Sequence, residues 1–282
     1  MRNFYIVANR DKESTEAVRQ TIEEYLSEQG CRVRSSSSAD RTDRHYTPAS
    51  EVPVDTECVI TLGGDGTLIQ AARDLAGRNI PIIGINLGGL GYLTQMGRDG
   101  DVRELLDALL WDRFQVQKRM MLKGTVYHDG KVAAEDVALN DIVMTREGEL
   151  RVLKFRIYVD GQFLNEYSAD GMIVATPTGS TAYNLSAGGP IAQPDGELMI
   201  LTPICPHTLT SRTIVLGPES QIKIEVSRRN QGGQMASFDG GGGVELTGGD
   251  YIIIERADTV TRVVKLDDRS FLDILKHKMY EA

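Results

Sequence analysis

The chain is poor in the residue types that build disulfide scaffolds and protein-held metal sites. Among 282 residues there are only three cysteines and four histidines. The cysteines are far apart and form no Cys-x-x-Cys pair, and the histidines show no His-Glu-x-x-His spacing. The sequence therefore predicts a reducing compartment, no disulfide framework and no metal caged by protein side chains alone.

Long hydrophobic runs and an excess of positive charge are also missing. The first apolar run covers only residues 4–8, and no uninterrupted apolar span approaches the ~20 residues that a membrane helix needs. The net charge at pH 7 is −9. Such a balance gives no electrostatic reason to expect nucleic acid or an anionic membrane as a partner. We therefore expect a cytoplasmic protein that binds neither.

The sequence pattern changes near residue 118. Before it, "FYIVAN", "CVITL" and "IPIIGIN" have the composition of buried strands, and apolar residues recur at helical spacing between Ser14, a possible N-cap, and Gly30. Alternation of strand and helix is typical of a parallel sheet with helical crossovers. We predict an α/β nucleotide-binding domain with a Rossmann-like sheet over residues 1–118, with Trp111 filling core at its end.

Beyond residue 118 the pattern is that of half-buried strands. "KFRIYV" and "IKIEV" alternate apolar and polar residues, and the Asp-Gly pairs at 129–130 and 160–161 lie where tight hairpin turns are expected. We predict an all-β, sandwich-like domain over residues 119–265. The final segment, "SFLDILKHKMYEA", has helical spacing, and we expect residues 266–282 to pack back on the first domain.

The stretch "TLGGDGTLIQ" places three glycines and an aspartate after the strand "CVITL". In a parallel sheet this turn lies at the carboxyl edge, and the first amides of the following helix favour an anion such as phosphate. It is not a Walker A loop, because the only Gly-Lys pair is followed by Val132. The dinucleotide fingerprint fails at Ile69, and kinase HRD and DFG elements are absent.

Asp65, at the centre of this turn, is open to several interpretations. Its carboxylate could cap the helix that follows, as many aspartates do. The flanking glycines favour a role on a ligand, because a cap does not require bare backbone on both sides. Asp65 could then act as a base or an orienter for a substrate hydroxyl, or help to hold Mg²⁺ beside a phosphate.

A second stretch, "DGMIVATPTGSTAYNLSAGGP" over residues 170–190, brings hydroxyl groups, small residues and glycines together after an apolar strand. Many neutral donors without bulk suit the ribose and phosphates of a nucleotide. Ser180 could suggest a nucleophile, but no Gly-x-Ser-x-Gly surrounds it and no histidine is identified as its partner. A hydrolase is therefore disfavoured.

These motifs together resemble the NAD kinase family, which includes ATP-NAD and polyphosphate-ATP NAD kinases. "GGDGT", Asn140-Asp141 within "ALNDIVMTR", "TPTGSTAYNLSAGGP", "PICPHTLTSR" and Asp239-Gly240 occur in the family's order, and the resemblance spans about residues 57–240. The long threonine- and glycine-rich motif is specific. The glycine-aspartate turn alone is not, because diacylglycerol kinases, sphingosine kinases and phosphofructokinases share it.

The resemblance implies an α/β domain, a β domain and an active site in the cleft between them. It implies transfer of the terminal phosphoryl group of ATP, with Mg²⁺, to the 2′-hydroxyl of the adenosine ribose of NAD, which gives NADP. The partners would be ATP and NAD. Because family members are commonly homodimers or homotetramers, the resemblance also implies such an assembly, in which neighbouring subunits close part of the NAD site.

The resemblance also assigns residues. It makes Asp65 the candidate base, directs Asn140 and Asp141 to the adenosine half of NAD, and directs Asp170 to its nicotinamide half. Residues 88–93 match a glycine-rich crossover near the adenine. The remaining nucleotide-binding candidates are Gly64, Gly66, Thr67, Tyr92, Thr178, Ser180, Thr181, Ala182, Tyr183 and Ser186.

Three positions depart from the family pattern. Asp141 stands where the family usually has glutamate, which keeps the charge but shortens the side chain. Gly241 replaces a frequent glutamine, so any side-chain contact from that position is lost. Thr213 follows Arg212 where proline is usual, and we expect little effect from this change.

Two other classes of function share parts of the pattern. A lipid or sugar kinase would share the glycine-aspartate turn. A lipid kinase also needs an apolar acceptor pocket or a membrane-binding surface, and no basic amphipathic helix is apparent in the sequence. A non-catalytic nucleotide sensor would keep the binding motifs without the chemistry, and the presence of Asp65 argues against it.

Overall fold

The computed structural model describes residues 1–8, 13–35, 47–86, 91–95, 101–148, 152–208, 210–230, 233–266 and 269–280. It divides into two compact units, one formed by Met1–Lys118 with Val260–Ala282 and the other by Arg119–Thr259. Among the helices of the described ranges, none combines the length and the hydropathy needed to cross a bilayer.

The strands, in chain order, are β1 Asn3–Ala8, β2 Arg32–Ser35, β3 Cys58–Leu62, β4 Ile82–Ile85, β5 Gln115–His128, β6 Lys131–Ala138, β7 Asp141–Glu147, β8 Leu153–Val159, β9 Gln162–Ala169, β10 Gly171–Ala175, β11 Met199–Ile204, β12 Ile214–Leu216, β13 Ile222–Val226, β14 Gly233–Phe238, β15 Val244–Leu246 and β16 Tyr251–Lys265. The helices are α1 Glu13–Glu28, α2 Asp65–Asp74, α3 Val102–Leu110, α4 Tyr183–Ser186 and α5 Phe271–Tyr280, with a 3₁₀ turn at Thr178–Thr181.

The first unit contains the predicted parallel sheet. Its strand order is β2-β1-β3-β4, and the end of β16 adds a fifth parallel strand through Val263, which pairs with Ile82. Side chains of α1, α3 and these strands form one apolar core. The Rossmann-like prediction for this sheet is confirmed.

The strand pairs described within the second unit are antiparallel. One sheet has the order β12-β11-β10-β7-β14-β15. The other runs from β16 through β13 and β8 to β9, and β5 pairs with both β16 and β6. Inward-facing residues of both sheets, with Phe155 and Phe238 the largest that are fully buried, share a single core, as in a sandwich. Positive φ angles at the Asp-Gly pairs 129–130 and 160–161 confirm the two predicted hairpin turns.

Two local predictions are wrong. Helix α1 spans Glu13–Glu28, so Ser14 lies within the helix and not at the position before its first residue. Trp111 is 72% exposed. It follows the end of α3, whose buried stripe consists of Leu105, Leu106 and Leu109, and a residue two positions after Leu109 points away from that stripe.

Candidate functional site

The glycine turn follows a fully buried strand and opens into space. Strand β3 ends at Leu62, and Gly64 is the N-cap of α2, with φ −94° and ψ −171° and no side-chain cap. A Cβ added to Gly64 or Gly66 would meet no atom within 4 Å. Thr67 is half-buried, and its amide donates to the carbonyl of Gly64. The fold itself thus leaves room for a ligand beside these backbone amides.

The Asp65 carboxylate is fixed by the segment 91–95 of the same unit. Oδ1 accepts from the amides of Leu93 at 3.2 Å and Thr94 at 3.1 Å and from the Thr94 hydroxyl at 3.1 Å. Oδ2 accepts only one of these bonds, from the amide of Tyr92 at 2.8 Å. The Asp65 side chain therefore does not cap its own helix, and the structure does not support the helix-cap interpretation.

Gly91 is required by this arrangement. A Cβ at Gly91 would lie 2.0 Å from Oδ1 of Asp65 and 2.2 Å from Oγ1 of Thr94. Desolvation by burial, and secondarily the Asp65 charge, raises the pKa of the neighbouring Tyr92 phenol, which therefore stays neutral. Within the crossover predicted at residues 88–93, positions 88–90 lie outside the described residues.

The C-terminal segment contacts the same loop. The guanidinium of Arg269 donates to the backbone carbonyl of Gln95 at 3.0 Å, and the amide of Leu266 donates to the side-chain oxygen of Gln95 at 3.3 Å. The Lys278 ammonium lies 5.9 Å from the centroid of the Tyr92 ring. The returning segment thus supports the loop that holds Asp65.

In the second unit, Asp239 organises the turn that carries Asn140 and Asp141. Its Oδ1 accepts from the amides of Asn140 at 2.7 Å and Asp141 at 3.1 Å, and its Oδ2 accepts from the amide of Leu139 at 2.8 Å. Asp239 and Gly240 both have positive φ angles, 50° and 68°, a conformation that Asp and Gly tolerate better than most residues. The geometry makes Asp239 an acceptor for three successive amides.

Asp141 lies beside this carboxylate but is itself buried. The residue is 5% exposed. Desolvation by burial, with a further contribution from the Asp239 charge, raises the pKa of Asp141 to about 7. Asn140 is half-buried. At neutral pH Asp141 is therefore only partly ionised, unlike an ordinary aspartate, and it follows the neutral amide side chain of Asn140.

The threonine- and glycine-rich segment packs directly on this turn. The Thr176 hydroxyl donates to the carbonyl of Leu139 at 2.6 Å and accepts from the amide of Gly179 at 3.0 Å. The amide of Thr176 donates to the carbonyl of Asn140 at 2.8 Å. A Cβ at Gly179 would lie 2.0 Å from that carbonyl oxygen. The structure thus brings residues 176–179 against the turn that carries Asn140 and Asp141.

This segment begins with buried residues, and most of the residues after Ser180 are accessible. The Ser180 hydroxyl is fully buried and bonds to the carbonyl of Pro177 and the amide of Ala192, so it holds the loop and is no exposed nucleophile. The Thr178 hydroxyl is buried and donates to Pro194. The predicted residues that remain accessible are Thr181, Ala182, Tyr183 and Ser186.

Asp170 lies at the opposite end of β10 from this segment. Strand β10 has five residues, which separates its two ends by roughly 17 Å. The Asp170 carboxylate is paired with Arg146, whose Nε donates to it at 3.1 Å. The structure therefore does not bring Asp170 next to Asn140 or Tyr183 within this unit.

The sequence did not identify several contacts that build these sites. Gly91 lies in the predicted crossover at residues 88–93, but its packing against Asp65 was not predicted, and Thr94 lies outside that crossover. Asn184, which is fully buried, links Ser180, Pro190 and Thr202 through its side-chain amide. The Asp239-Gly240 pair was part of the resemblance. An Asp-Gly pair is typical of a turn, and the positive φ angles of both residues agree with one.

Comparison with solved structures defines the class of the fold. The chain matches yeast NADH kinase complexed with NADH at a TM-score of 0.85 and 25% identity, covering 100% of this chain and 89% of that one. It matches an NAD kinase from Archaeoglobus fulgidus in complex with ATP at a TM-score of 0.78 and 26% identity, covering 98% of each. Both are kinases named for nicotinamide dinucleotides.

Sequence comparison gives the family. Residues 4–114 match the model of the ATP-NAD kinase N-terminal domain, and residues 118–266 match that of the C-terminal domain. The NAD kinase of Lachnospira eligens is 43% identical, covering 99% of this chain and 100% of that one. The NAD kinase of Lachnoclostridium phytofermentans is 38% identical, with 99% of each covered. The chain belongs to the NAD kinase family.

Proposed function

We propose that this enzyme transfers the terminal phosphoryl group of ATP to the 2′-hydroxyl of the adenosine ribose of NAD and so produces NADP. The similar proteins are described as NAD kinases, and the two solved relatives hold NADH and ATP. The observation that carries the mechanism is the Asp65 carboxylate, which is held by four hydrogen bonds beside an open glycine turn.

Oδ2 of Asp65 is the proposed proton acceptor. A carboxylate oxygen can accept two hydrogen bonds, and Tyr92 supplies one to this oxygen. In the proposed step, the 2′-oxygen bonds to the γ-phosphorus while the bond from that phosphorus to the bridging oxygen of ADP breaks. The hydroxyl proton moves to Oδ2 and later to water. A base that is already fixed needs no reorganisation during transfer.

The first amides of α2 are the proposed phosphate contacts. Bare backbone at Gly64 and Gly66 lets an anion approach, and the helix N-terminus favours negative charge. No group of three or more His, Cys, Asp or Glu side chains in the described ranges is arranged to hold a metal. Magnesium keeps much of its water and is commonly held by substrate phosphates, so it would arrive with ATP and neutralise phosphate charge.

The proposed NAD contacts come from the second unit and from Tyr92. Asn140 and Asp141 would bind the adenosine half. The accessible residues from Thr181 to Ser186 would line the site. Thr178 and Ser180 would position them, because their side-chain hydroxyls donate to the backbone carbonyls of Pro194 and Pro177. Asp170, with its orientation set by Arg146, would contact the nicotinamide half.

A panel of acceptors tests the proposal. Purified protein with ATP and Mg²⁺ is offered NAD, NADH, diacylglycerol and fructose 6-phosphate, and the phosphorylated products are measured. We expect NAD to be converted to NADP. Preference for diacylglycerol or fructose 6-phosphate would identify another kinase class, and transfer to none of them would identify a sensor. Replacing ATP by other triphosphates or polyphosphate defines the donor range.

A further inference from the structure

Asp141 is a buried acid with no hydrogen-bond partner for its carboxyl group in the described parts of the chain. It is the first residue of β7, is 5% exposed and pairs through its backbone with Ala175 of β10. The bonds described for it use its backbone amide and carbonyl. In the described residues its carboxyl oxygens are not among the fully enclosed polar atoms that lack a partner, so they remain within reach of a ligand. A ligand can therefore supply the hydrogen bond that the described protein groups do not.

The neighbouring carboxylate determines the charge of Asp141. Asp239 accepts three backbone amides, which stabilise its ionised form. Two adjacent carboxyl groups do not both ionise freely, so the group without hydrogen bonds takes the proton. Asp239 is the only charged group in the described ranges that acts on Asp141. The facing strand offers the apolar Ala175 and then the uncharged Thr176.

Building on the proposed function, we propose that Asp141 binds NAD as a neutral carboxylic acid. Its O–H donates a hydrogen bond to an uncharged acceptor of the adenosine half, a ring nitrogen or a ribose oxygen. NAD brings phosphate charges and displaces water, and both changes disfavour a carboxylate at this position. A neutral acid is thus the form that the bound ligand selects.

This assignment couples NAD binding to proton uptake. Because burial and Asp239 raise the pKa of Asp141 to about 7, the free enzyme holds this proton only part of the time at neutral pH. NAD binding then takes up roughly half a proton at pH 7, and the affinity for NAD falls roughly fivefold from pH 7 to pH 8. A carboxylate that accepted hydrogen bonds from NAD would instead release protons on binding.

Calorimetry of NAD binding measures this linkage. Titrations in two buffers of different ionisation enthalpy give the number of protons exchanged for wild type, Asp141→Asn and Asp129→Asn. Asp129 is exposed in a hairpin turn with φ 48°, a conformation that asparagine also adopts. We expect proton uptake in wild type and Asp129→Asn and none in Asp141→Asn, whose affinity also becomes independent of pH between 6 and 8.

Release of protons, or uptake that persists in Asp141→Asn, would overturn the proposal. Absence of any NAD binding or NADP formation at every pH would instead remove the proposed function beneath it. Thermal unfolding provides a second measurement if the variant does not bind. The raised pKa of Asp141 means that the folded state holds this proton more tightly, so stability falls as pH rises from about 4 to 7. Asp141→Asn should lack that part of the decline, and an unchanged slope contradicts the protonated state.

Discussion

At the scale of single residues, aspartate has two different chemical roles in this protein. Asp65 accepts four hydrogen bonds from the segment 92–94. The Asp141 carboxyl receives none from the described residues, because Asp239 accepts the nearby amides. In the sequence Asp65, Asp141 and Asp239 look alike, since each lies next to a glycine or an asparagine. Only their hydrogen bonds in the structure distinguish the fixed hydrogen-bond acceptors, Asp65 and Asp239, from the buried acid, Asp141.

The glycines of the first unit also differ, and this leads to a paired prediction. Gly66→Ala adds a methyl group to open space, so the melting temperature should stay the same or rise, since alanine favours helix. The methyl group should weaken ATP binding, because it occupies the proposed phosphate space. Gly91→Ala instead places a Cβ 2.0 Å from Oδ1 of Asp65, and displacing that carboxylate should lower turnover about 100-fold.

Calorimetry, ATP titration and steady-state kinetics on the two variants separate these effects. Normal ATP affinity in a folded Gly66→Ala variant would show that the phosphates bind elsewhere. Wild-type turnover in Gly91→Ala would show that the position of the Asp65 carboxylate is not important.

At the scale of elements, short apolar runs predicted the strands well. "CVITL" and "IKIEV" coincide with β3 and β13, and the Asp-Gly pairs mark hairpins. The one-turn helix α4 at residues 183–186 was not predicted, because four residues are too few to show helical periodicity.

The packing of residues 176–179 on the turn at 139–141 gives a prediction at this scale. In Gly179→Ala the new Cβ would lie 2.0 Å from the carbonyl oxygen of Asn140, so the two segments must separate, at about 1–3 kcal/mol of stability. The KM for NAD should rise more than kcat falls, because the chemistry at Asp65 is untouched.

Gly217→Ala is the matched control, since a Cβ there meets nothing within 4 Å and Gly217 is exposed. It should leave KM and stability unchanged. Equal KM values for Gly179→Ala and Gly217→Ala would show that this packing does not support NAD binding.

At the scale of the whole molecule, the sequence yielded the fold class and the family but not the contacts that build the site. The fold class is confirmed by the solved relatives. Asp65 is 29 positions from Thr94, and Asn140 is 99 positions from Asp239. Such pairs are set by strand order, which local patterns do not encode. A cytoplasmic homodimer or homotetramer stays a prediction, which light scattering on the purified protein would test for assembly.

The activity of the whole enzyme depends, in this account, on one carboxylate. Asp65→Asn keeps an acceptor for Leu93 and Thr94 but turns an N–H group toward the amide of Tyr92. The lost hydrogen bond should cost about 1–3 kcal/mol of stability, which leaves a folded protein that still binds ATP and NAD. Asp101→Asn is the control, because Asp101 caps α3 through the amide of Arg103 and asparagine caps equally well.

The most direct measurement is the rate of NADP formation from ATP and NAD by Asp65→Asn, compared with wild type and Asp101→Asn at saturating substrates. We predict a fall of about 100-fold or more for Asp65→Asn, with wild-type turnover in Asp101→Asn. Turnover within a few-fold of wild type in a folded Asp65→Asn variant would contradict the assignment of Asp65 as the base.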